Sequence, residues 1–275
     1  MLALLLAGCG RSAPPPDAPD PAPPPLPAAP PALAPDIDPT CPPGMIGIQT
    51  GPAELGEADG ALAAKYTPNT VVPRSVYSVP AFCIDRYPLP GRQGDAWPTD
   101  GLNKKQVREQ VEPWLHRHDR RLCTVAELMR AAGGPLGQRY PWGDDPSAEI
   151  CDIKDDAPDA MGTFAGCVSP DGLRDLQVRS TWARLDPQTL ERMTAAGAAD
   201  QPGFDGGYAV WGGLVRTDTY YAPTNFGVHF HQDSAPGFSD DGLRTCAWPS
   251  AGAHPDWAGA MDRLRERKRL AGLGR

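Results

Sequence analysis

The strongest hydrophobic pattern in the chain predicts a short helix after residue 124, with both of its ends marked in the sequence. Four apolar residues recur at helical spacing and form one face: Val125, Leu128, Met129 and Ala132. Thr124 stands at the N-cap position and Glu127 follows three residues later, so the two side chains can form a capping box. Gly133-Gly134 permits a left-handed exit and Pro135 cannot continue a helix, so the helix should end there.

The segment after this helix, residues 140–146, combines two aromatic residues, two prolines and a glycine in seven positions. Such a segment has few conformations to lose on folding and much apolar area to bury. We therefore expect an ordered, buried loop in which the ring of Trp142 belongs to the core.

Weaker patterns place further elements along the chain. Residues 41–51 fit a first strand and turn, and residues 77–87 alternate enough for another strand. Residues 103–117 have a helical pattern that Pro113 should interrupt, because proline lacks an N–H group. Residues 186–200 resemble an inserted helix and loop. These short runs between many glycines and prolines predict one domain of mixed α and β structure over residues 40–250.

The N-terminal residues have a different character from this domain. Residues 1–9 end in Leu6-Ala7-Gly8-Cys9, which matches the bacterial lipobox and predicts a lipid on Cys9; an accidental apolar start is the alternative. The apolar run is shorter than an ordinary signal peptide, which suggests a start upstream of Met1. Residues 10–39 are Pro- and Ala-rich and form a tether, either extended or simply disordered.

No other segment approaches the roughly 20 apolar residues of a membrane span, so a lipid would be the only membrane anchor. The expected location is the bacterial cell envelope. Gly10, rather than Asp, follows the lipobox cysteine and favours the outer membrane.

The predicted helix and loop carry a resemblance to a known family. RLCTVAEL, followed by AAGG and YPWG, resembles the RLPTEAEWE…AARGG…YPWG signature of the formylglycine-generating enzyme (sulfatase-modifying factor) family. Two positions depart from it, since Cys123 replaces a proline and Leu128 replaces a tryptophan. The resemblance implies an irregular α+β fold related to C-type lectins, with little regular secondary structure.

Other family segments are present in altered form. Residues 169–176 resemble the family's S-x-x-G-(V/L)-x-D-M, but the G-N-V-x-E-W that should follow is missing. Residues 208–215 resemble the strand V-x-R-G-G-S-W, with Trp211 in place of the arginine. Residues 241–246 resemble the closing G-F-R-C strand with one residue inserted.

The family's oxidases bind copper(I) through two cysteines shortly after the R-G-G-S strand. Counted from Gly212-Gly213, these positions fall on Thr217 and Ala222, neither of which offers the thiolate that copper(I) prefers. The sequence therefore predicts no copper and no catalytic residues. It favours a non-catalytic binding or scaffold module with an unidentified protein or glycan ligand. The alternative is an oxidase of the formylglycine-generating type that acts on sulfatases.

Six cysteines remain after Cys9, an even number that favours disulfides in an exported chain, and they allow fifteen pairings. Cys151–Cys167 closes one short loop between turn-rich ends. The family resemblance implies Cys123–Cys246, because the closing-strand cysteine of the family pairs with one just before its R-L-P-T-E. The two cysteines that remain would form the pair Cys41–Cys83. Thiolate metal sites are the weak alternative, since no two cysteines have the C-x2–4-C spacing.

Two further groups could bind metal. The resemblance places a structural Ca2+ site near Asp152, Asp156 and Asp159, whose oxygens suit that ion; solubilising charge is the alternative. His229, His231 and Asp233 would share one face of a strand, either as a metal site or as a polar loop rim.

The charge of the chain bears on its partners. The net charge is −8 and argues against nucleic-acid binding, which needs a basic surface. Residues 251–275 form a basic, helical tail outside the family resemblance. Its charged run at residues 263–269 is either a solvated helix face or a contact for phospholipid or a partner.

Overall fold

The computed structural model describes residues 40–57, 71–89, 101–143, 161–176, 180–212, 216–217, 220–221, 226–233 and 241–250. These residues form a mixed α+β structure with short helices and several small sheets, in agreement with the expected fold class. Cys9, the tether and the basic tail lie outside the described residues. Within the described part, no helix is long and apolar enough to cross a membrane.

The elements of this structure are short. The strands are β1 (Met45–Ile48), β2 (Gly51–Leu55), β3 (Ser75–Val79), β4 (Phe82–Asp85), β5 (Arg121–Leu122), β6 (Ser180–Arg184), β7 (Tyr208–Trp211), β8 (Arg216–Thr217), β9 (Tyr220–Tyr221), β10 (Val228–His229), β11 (Asp241–Gly242) and β12 (Thr245–Ala247). The α-helices are α1 (Lys104–Gln106), α2 (Glu112–His116), α3 (Val125–Gly133) and α4 (Pro187–Ala195), with a π-helical turn at Val107–Val111 and a 3-10 turn at Ala198–Asp200.

One four-stranded sheet has the order β1-β4-β12-β5 and joins the first strand of the domain to the last. All of its neighbours are antiparallel, with Cys246 opposite Ile84 on one side and Arg121 on the other. This sheet brings the two ends of the domain together. At these ends, the backbone N–H of Ser250 donates to the carbonyl of Thr40 at 2.9 Å.

The second four-stranded sheet has the order β10-β7-β6-β11, in which β11 runs parallel to β6 and the other neighbours are antiparallel. Trp182 and Trp211 project from its two central strands and are completely buried. Both rings therefore belong to the apolar core of the domain.

The helix α3 confirms the capping box predicted from sequence. The hydroxyl oxygen of Thr124 accepts the amide of Glu127 at 3.2 Å, and the Glu127 carboxylate accepts the amide of Thr124 at 2.8 Å. The four residues of the predicted apolar face, Val125, Leu128, Met129 and Ala132, lie in the core, and the other residues of the helix are buried as well. The two charged side chains of the helix form ion pairs. Arg121 donates to both carboxylate oxygens of Glu127, at 2.7 and 2.6 Å, and Arg130 donates to the carboxylate of Asp171 at 2.5 Å.

The structure corrects two other predicted elements. Residues 77–87 do not form one strand: β3 pairs with β2 in a separate ribbon, and β4 belongs to the first sheet. The helix over residues 103–117 is continuous rather than broken at Pro113. A π-helical turn at Val107–Val111 precedes the proline, and this wider turn lets the chain accommodate a residue that cannot donate to the preceding turn.

The loop at residues 140–143 is only partly buried. Tyr140 lies in the core with 4 % of its surface exposed, whereas Trp142 is half-buried and stacks on the Tyr140 ring at 5.2 Å between centroids. The expectation of a core Trp142 is therefore wrong. Its ring covers Tyr140 from the solvent side.

We expect Trp142→Ala to lower the free energy of unfolding by about 1–2 kcal/mol, because only part of the ring is removed from water. Tyr140→Ala should cost about 3–5 kcal/mol, since it leaves a cavity in the core. Urea denaturation of the two variants beside the parent chain measures both values. A Trp142→Ala cost as large as that of Tyr140→Ala would contradict this assignment of core and cover.

Candidate functional site

The resemblance noted in the sequence would place a pair of copper ligands at Thr217 and Ala222. Thr217 belongs to β8, whose backbone pairs with β9 through Thr217 and Tyr220. Ala222 lies outside the described residues. Neither residue carries a thiol.

The cysteines of the described residues are all bound in disulfides. Cys41 is bonded to Cys83 and Cys123 to Cys246, which are two of the three predicted pairs. Cys167 is also disulfide-bonded, and its predicted partner Cys151 lies outside the described residues. The backbone pairing of β5 with β12 brings Cys123 and Cys246 together, with their Cα atoms 4.9 Å apart.

His229 and His231 lie side by side, as the strand alternation predicts, with 5.0 Å between their ring centroids. His231 is buried, and its ring lies 5.4 Å from that of Trp182. Asp233 does not join them as a third ligand. Its carboxylate accepts from Arg108 at 3.0 Å and lies 3.8 Å from the ammonium of Lys104.

Within the described residues, no three His, Cys, Asp or Glu side chains are grouped closely enough to hold a metal ion. The Ca2+ ligands implied by the family resemblance, Asp152, Asp156 and Asp159, lie outside the described residues.

The charged residues that meet Asp233 form a cluster that the sequence did not reveal. We call it the charge cluster; its members are Lys104, Arg108, Asp205 and Asp233. The N-terminal end of the 104–116 helix supplies the two cations, and the loops before β7 and after β10 supply the two carboxylates. The local signal for this helix end is a second capping box between Asn103 and Gln106, with distances of 2.8 and 2.9 Å.

Lys104 is the buried centre of the charge cluster. Only 4 % of its side chain is exposed, and its ammonium donates to the carbonyl of Gly203 at 2.8 Å and to Asp205 at 3.0 Å. Burial alone would raise the pKa of Asp205, but the amides of Gly207 and Tyr208 and the Lys104 ammonium together hold that pKa below its ordinary value. Arg108 and Asp233 remain 39 % and 53 % exposed, so the outer pair faces solvent.

A second ionic group lies behind the charge cluster. The Arg184 guanidinium donates to both oxygens of Glu112, at 2.7 and 2.9 Å, and lies 4.1 Å from the centroid of the Tyr208 ring. The Tyr208 hydroxyl donates to Glu112 at 2.5 Å. Burial and this bond to a carboxylate raise the pKa of Tyr208, so its hydroxyl stays protonated at neutral pH. These contacts hold α2, which carries Glu112, against β6 and β7.

A small cavity of about 10 Å3 lies between β6, β11 and the residues after β4. Asp175, Thr181, Trp211 and Arg244 are among the residues that line it. Asp175 adopts a left-handed backbone with φ 54°, and burial raises its pKa. Arg244 is buried, which lowers its pKa to about 10, and it donates to the carbonyls of Asp85, Arg86 and Arg174 at 2.6, 2.9 and 2.6 Å. This arginine ties the end of the domain to its first sheet and is structural.

Comparisons with known proteins show the fold alone. No family model matches the chain, and no curated protein sequence matches it. The structure of PvdO from Pseudomonas aeruginosa matches with a TM-score of 0.51 and 13 % identity, over 74 % of this chain and 93 % of that one. Treponema denticola variable protein 1 matches with a TM-score of 0.50 and 12 % identity, over 74 % and 95 % of the respective chains. At this identity the likeness establishes a related fold.

Proposed function

We propose that this chain is a membrane-tethered, extracytoplasmic binding or scaffold module, built on a domain of the formylglycine-generating enzyme type that no longer performs the family's oxidation. The family assignment is supported by the RLCTVAEL, AAGG and YPWG segments and by a fold related to those of two solved structures. The relation of this fold to C-type lectins is part of the same proposal.

The observation that carries the proposal is the state of the cysteines. A copper(I) oxidase of this family needs two thiolates that hold the metal together and then meet a substrate thiol. In the described part of the chain, each cysteine is consumed by a disulfide, and Thr217 and Ala222 stand at the family's ligand positions. A hydroxyl is a poor ligand for copper(I) and a methyl group is none.

The disulfides also support the proposed location. Such bonds persist in secreted and periplasmic proteins and are rare in the cytosol, where thiols are kept reduced. The disulfides therefore fit an exported chain that is anchored in the outer membrane by a lipid on Cys9 of the lipobox.

The charge cluster provides a surface suited to a polar partner. Its outer pair, Arg108 and Asp233, is exposed, while the buried Lys104 and the Glu112–Arg184 group beneath hold both side chains in position. A surface of fixed, alternating charges can bind a protein or glycan through directed hydrogen bonds at a small entropic cost. We place the ligand-binding face there.

Incubation with a C-x-P-x-R peptide, copper, oxygen and reductant tests the loss of oxidase chemistry. We expect no conversion of the peptide cysteine to the aldehyde and no stoichiometric, tight binding of copper(I), because the two thiolates are missing. Mass analysis of the peptide reads the outcome. An aldehyde product that requires the protein would make the chain an enzyme of the formylglycine-generating type.

The converse variant restores the ligands. Thr217→Cys with Ala222→Cys should gain copper(I) affinity over the parent chain, measured by competition with a copper(I) chelator. The single variants provide the matched controls, since one thiolate cannot hold the ion as a pair does. A double variant that binds no better than either single variant would contradict the placement of the family's metal positions on Thr217 and Ala222.

Lipidation of Cys9 is expected in a bacterial host that processes lipoproteins. Mass spectrometry of the mature N-terminus should find a chain that begins at an acylated Cys9, and Cys9→Ser should abolish both the lipid and the sedimentation of the protein with membranes. An unmodified Cys9 still joined to Gly8 would remove the anchor from the proposal.

A further inference from the structure

The ribbon formed by β2 and β3 has one covered edge and one open edge. On the β2 side, the backbone N–H of Glu54 donates to the carbonyl of Pro135 at 3.3 Å, so this edge is covered by the loop after α3. Opposite residues of an antiparallel ladder either exchange both backbone hydrogen bonds or turn both groups away from each other. Since Glu54 lies opposite Val76 and its N–H points away, the N–H and C=O of Val76 also point away from β2.

The same alternation holds two residues further along the ladder. Pro52 lies opposite Ser78 and has no N–H group to give to it. The N–H of Ser78 donates instead to the side-chain oxygen of Gln188, in the first turn of α4, at 3.2 Å. Two separate observations therefore assign the outward backbone groups of β3 to Val76 and Ser78. We call these outward groups the β3 edge.

The β3 edge is accessible. Val76 is 60 % exposed and Ser78 is exposed as well, whereas Tyr77 between them is buried. Within the described part of the chain, the N–H and C=O of Val76 and the C=O of Ser78 have no hydrogen-bond partner. Exposed backbone groups of this kind are a template for the addition of another strand.

The ends of the β3 edge limit the length of such a strand. Before Val76, the N–H of Arg74 is already donated to the carbonyl of Glu57 at 3.1 Å. After Ser78, the next residue of the alternation is Pro80, which has no N–H group. Only two residues can therefore exchange backbone hydrogen bonds with an added strand.

The charge beside the β3 edge limits its partner further. The strand itself, Ser75–Val79, has no charged residue. Arg74 and Glu54, which lie beside it on the ribbon, are paired with each other at 2.7 Å. The edge thus suits a short, uncharged strand that offers an N–H and a C=O at two alternate positions. β3 meets each of these requirements, so a second copy of the chain presents a complementary strand.

We propose that the β3 edge pairs with the β3 edge of a second copy of this chain, antiparallel and with Tyr77 of one copy opposite Tyr77 of the other. In this register the N–H of Val76 meets the C=O of Ser78 in the second copy, and the twofold axis repeats the bond. The contact is isologous and closes at the dimer, because each copy contributes the same edge. The inference is independent of the lipid anchor and of the charge cluster.

Gln188 sets the strength of this contact. Two of the hydrogen bonds between the copies form with Gln188 in place. Two more, from the N–H of Ser78 to the C=O of Val76, form only where Gln188 releases Ser78. The side chain of Gln188 therefore competes with the second copy and keeps the dimer weak.

Sedimentation velocity of the full chain tests the proposal, with Cys9→Ser in every sample to remove the acceptor of the proposed lipid. Val76→Pro deletes the outward donor and is tolerated at a strand edge, because that N–H makes no bond within the ribbon. Val76→Thr is its matched control, since it keeps the N–H and a β-branched side chain. Gln188→Ala frees the N–H of Ser78, and Gln188→Glu is its control because it keeps an acceptor oxygen.

We expect the parent to show a monomer–dimer equilibrium as its concentration rises to about 1 mM, since so few hydrogen bonds give a weak contact. Val76→Pro should stay monomeric, and Val76→Thr should behave like the parent. Gln188→Ala should dimerise about tenfold more tightly, because two hydrogen bonds no longer compete with an internal one, whereas Gln188→Glu should be no tighter than the parent. Amide hydrogen exchange over residues 75–79 should slow in the concentrated parent.

Three results would overturn the inference. A parent that remains monomeric throughout would leave the β3 edge to a strand from another polypeptide. A dimer that Val76→Pro leaves intact, or whose formation does not slow exchange over residues 75–79, would place the contact elsewhere. Equal dimerisation of Gln188→Ala and Gln188→Glu would contradict the register, and this comparison also decides the matter if Val76→Pro unfolds the ribbon.

Discussion

Gly137→Ala should destabilise the domain by about 3–5 kcal/mol, the largest effect we expect from adding a single methyl group. Gly137 has a left-handed backbone with φ +60°, and a Cβ built on it would lie 1.8 Å from the carbonyl oxygen of Glu54. The left-handed conformation alone costs an L-residue about 1–2 kcal/mol. The overlap adds at least as much, because the atom in the way is backbone in β2 and cannot rotate aside.

Gly101→Ala provides the matched control. Gly101 has nearly the same backbone, with φ +68°, but no described atom lies within 4 Å of the position its Cβ would take. Gly101→Ala should therefore lower the free energy of unfolding only by the cost of the left-handed backbone, about 1–2 kcal/mol. Urea denaturation of the two variants, with the disulfides intact, gives the difference directly. Equal losses at the two glycines would show that the loop after α3 moves away from β2 at no cost.

The contrast between these glycines shows what local sequence can predict. The end of α3 at Gly133-Gly134 and the stop at Pro135 follow from three adjacent residues; Gly134 has a positive φ of 68°, but its ψ of −172° lies outside the left-handed helical region that the sequence predicts. Nothing near Gly137 indicates that its neighbour is Glu54, more than 80 residues earlier. The glycine is required because the amide of Glu54 donates to the carbonyl of Pro135 at 3.3 Å, which pulls the loop onto the strand.

The candidate site was hidden for the same reason. The N-cap of α3 could be predicted because Thr124 and Glu127 are three residues apart, as could the helical character of residues 103–117. The charge cluster could not, because Lys104 meets Asp205 and Asp233 only through the fold. Sequence alternation correctly placed His229 beside His231, yet it could not show that Asp233 is held by two cations instead of completing a metal site.

The prediction that Pro113 interrupts the helix over residues 103–117 was partly correct. Proline at position 113 was expected to break the helix, and the regular α-helical hydrogen bonding does fail just before it. The helix continues because the Glu112–Arg184 pair and the buried Leu115 hold the segment after the turn against the rest of the domain. Tertiary contacts thus override a local signal whose physical basis was correct.

Asp186 was assigned from sequence to the start of an inserted helix and loop, and the structure gives it a central position. Its carboxylate accepts the amide of Thr189 at 2.9 Å and the Thr189 hydroxyl at 2.7 Å, which caps α4. The same carboxylate accepts the amide of Ala126 in the first turn of α3 at 3.1 Å. One buried side chain therefore caps two helices, and burial raises its pKa because the three donors only partly replace water.

Asp186→Ala should lower the free energy of unfolding by about 3–5 kcal/mol, since it leaves the amides of Thr189 and Ala126 buried without an acceptor. Asp186→Asn should lose less, about 1–2 kcal/mol, because its one carbonyl oxygen can replace only part of the carboxylate. Asn103→Ala is the matched control: it removes a half-buried cap from a single helix, and it should cost about 0.5–2 kcal/mol. Urea denaturation at neutral pH ranks the three variants, and an Asp186→Ala loss no larger than that of Asn103→Ala would show that α3 and α4 do not depend on a shared cap.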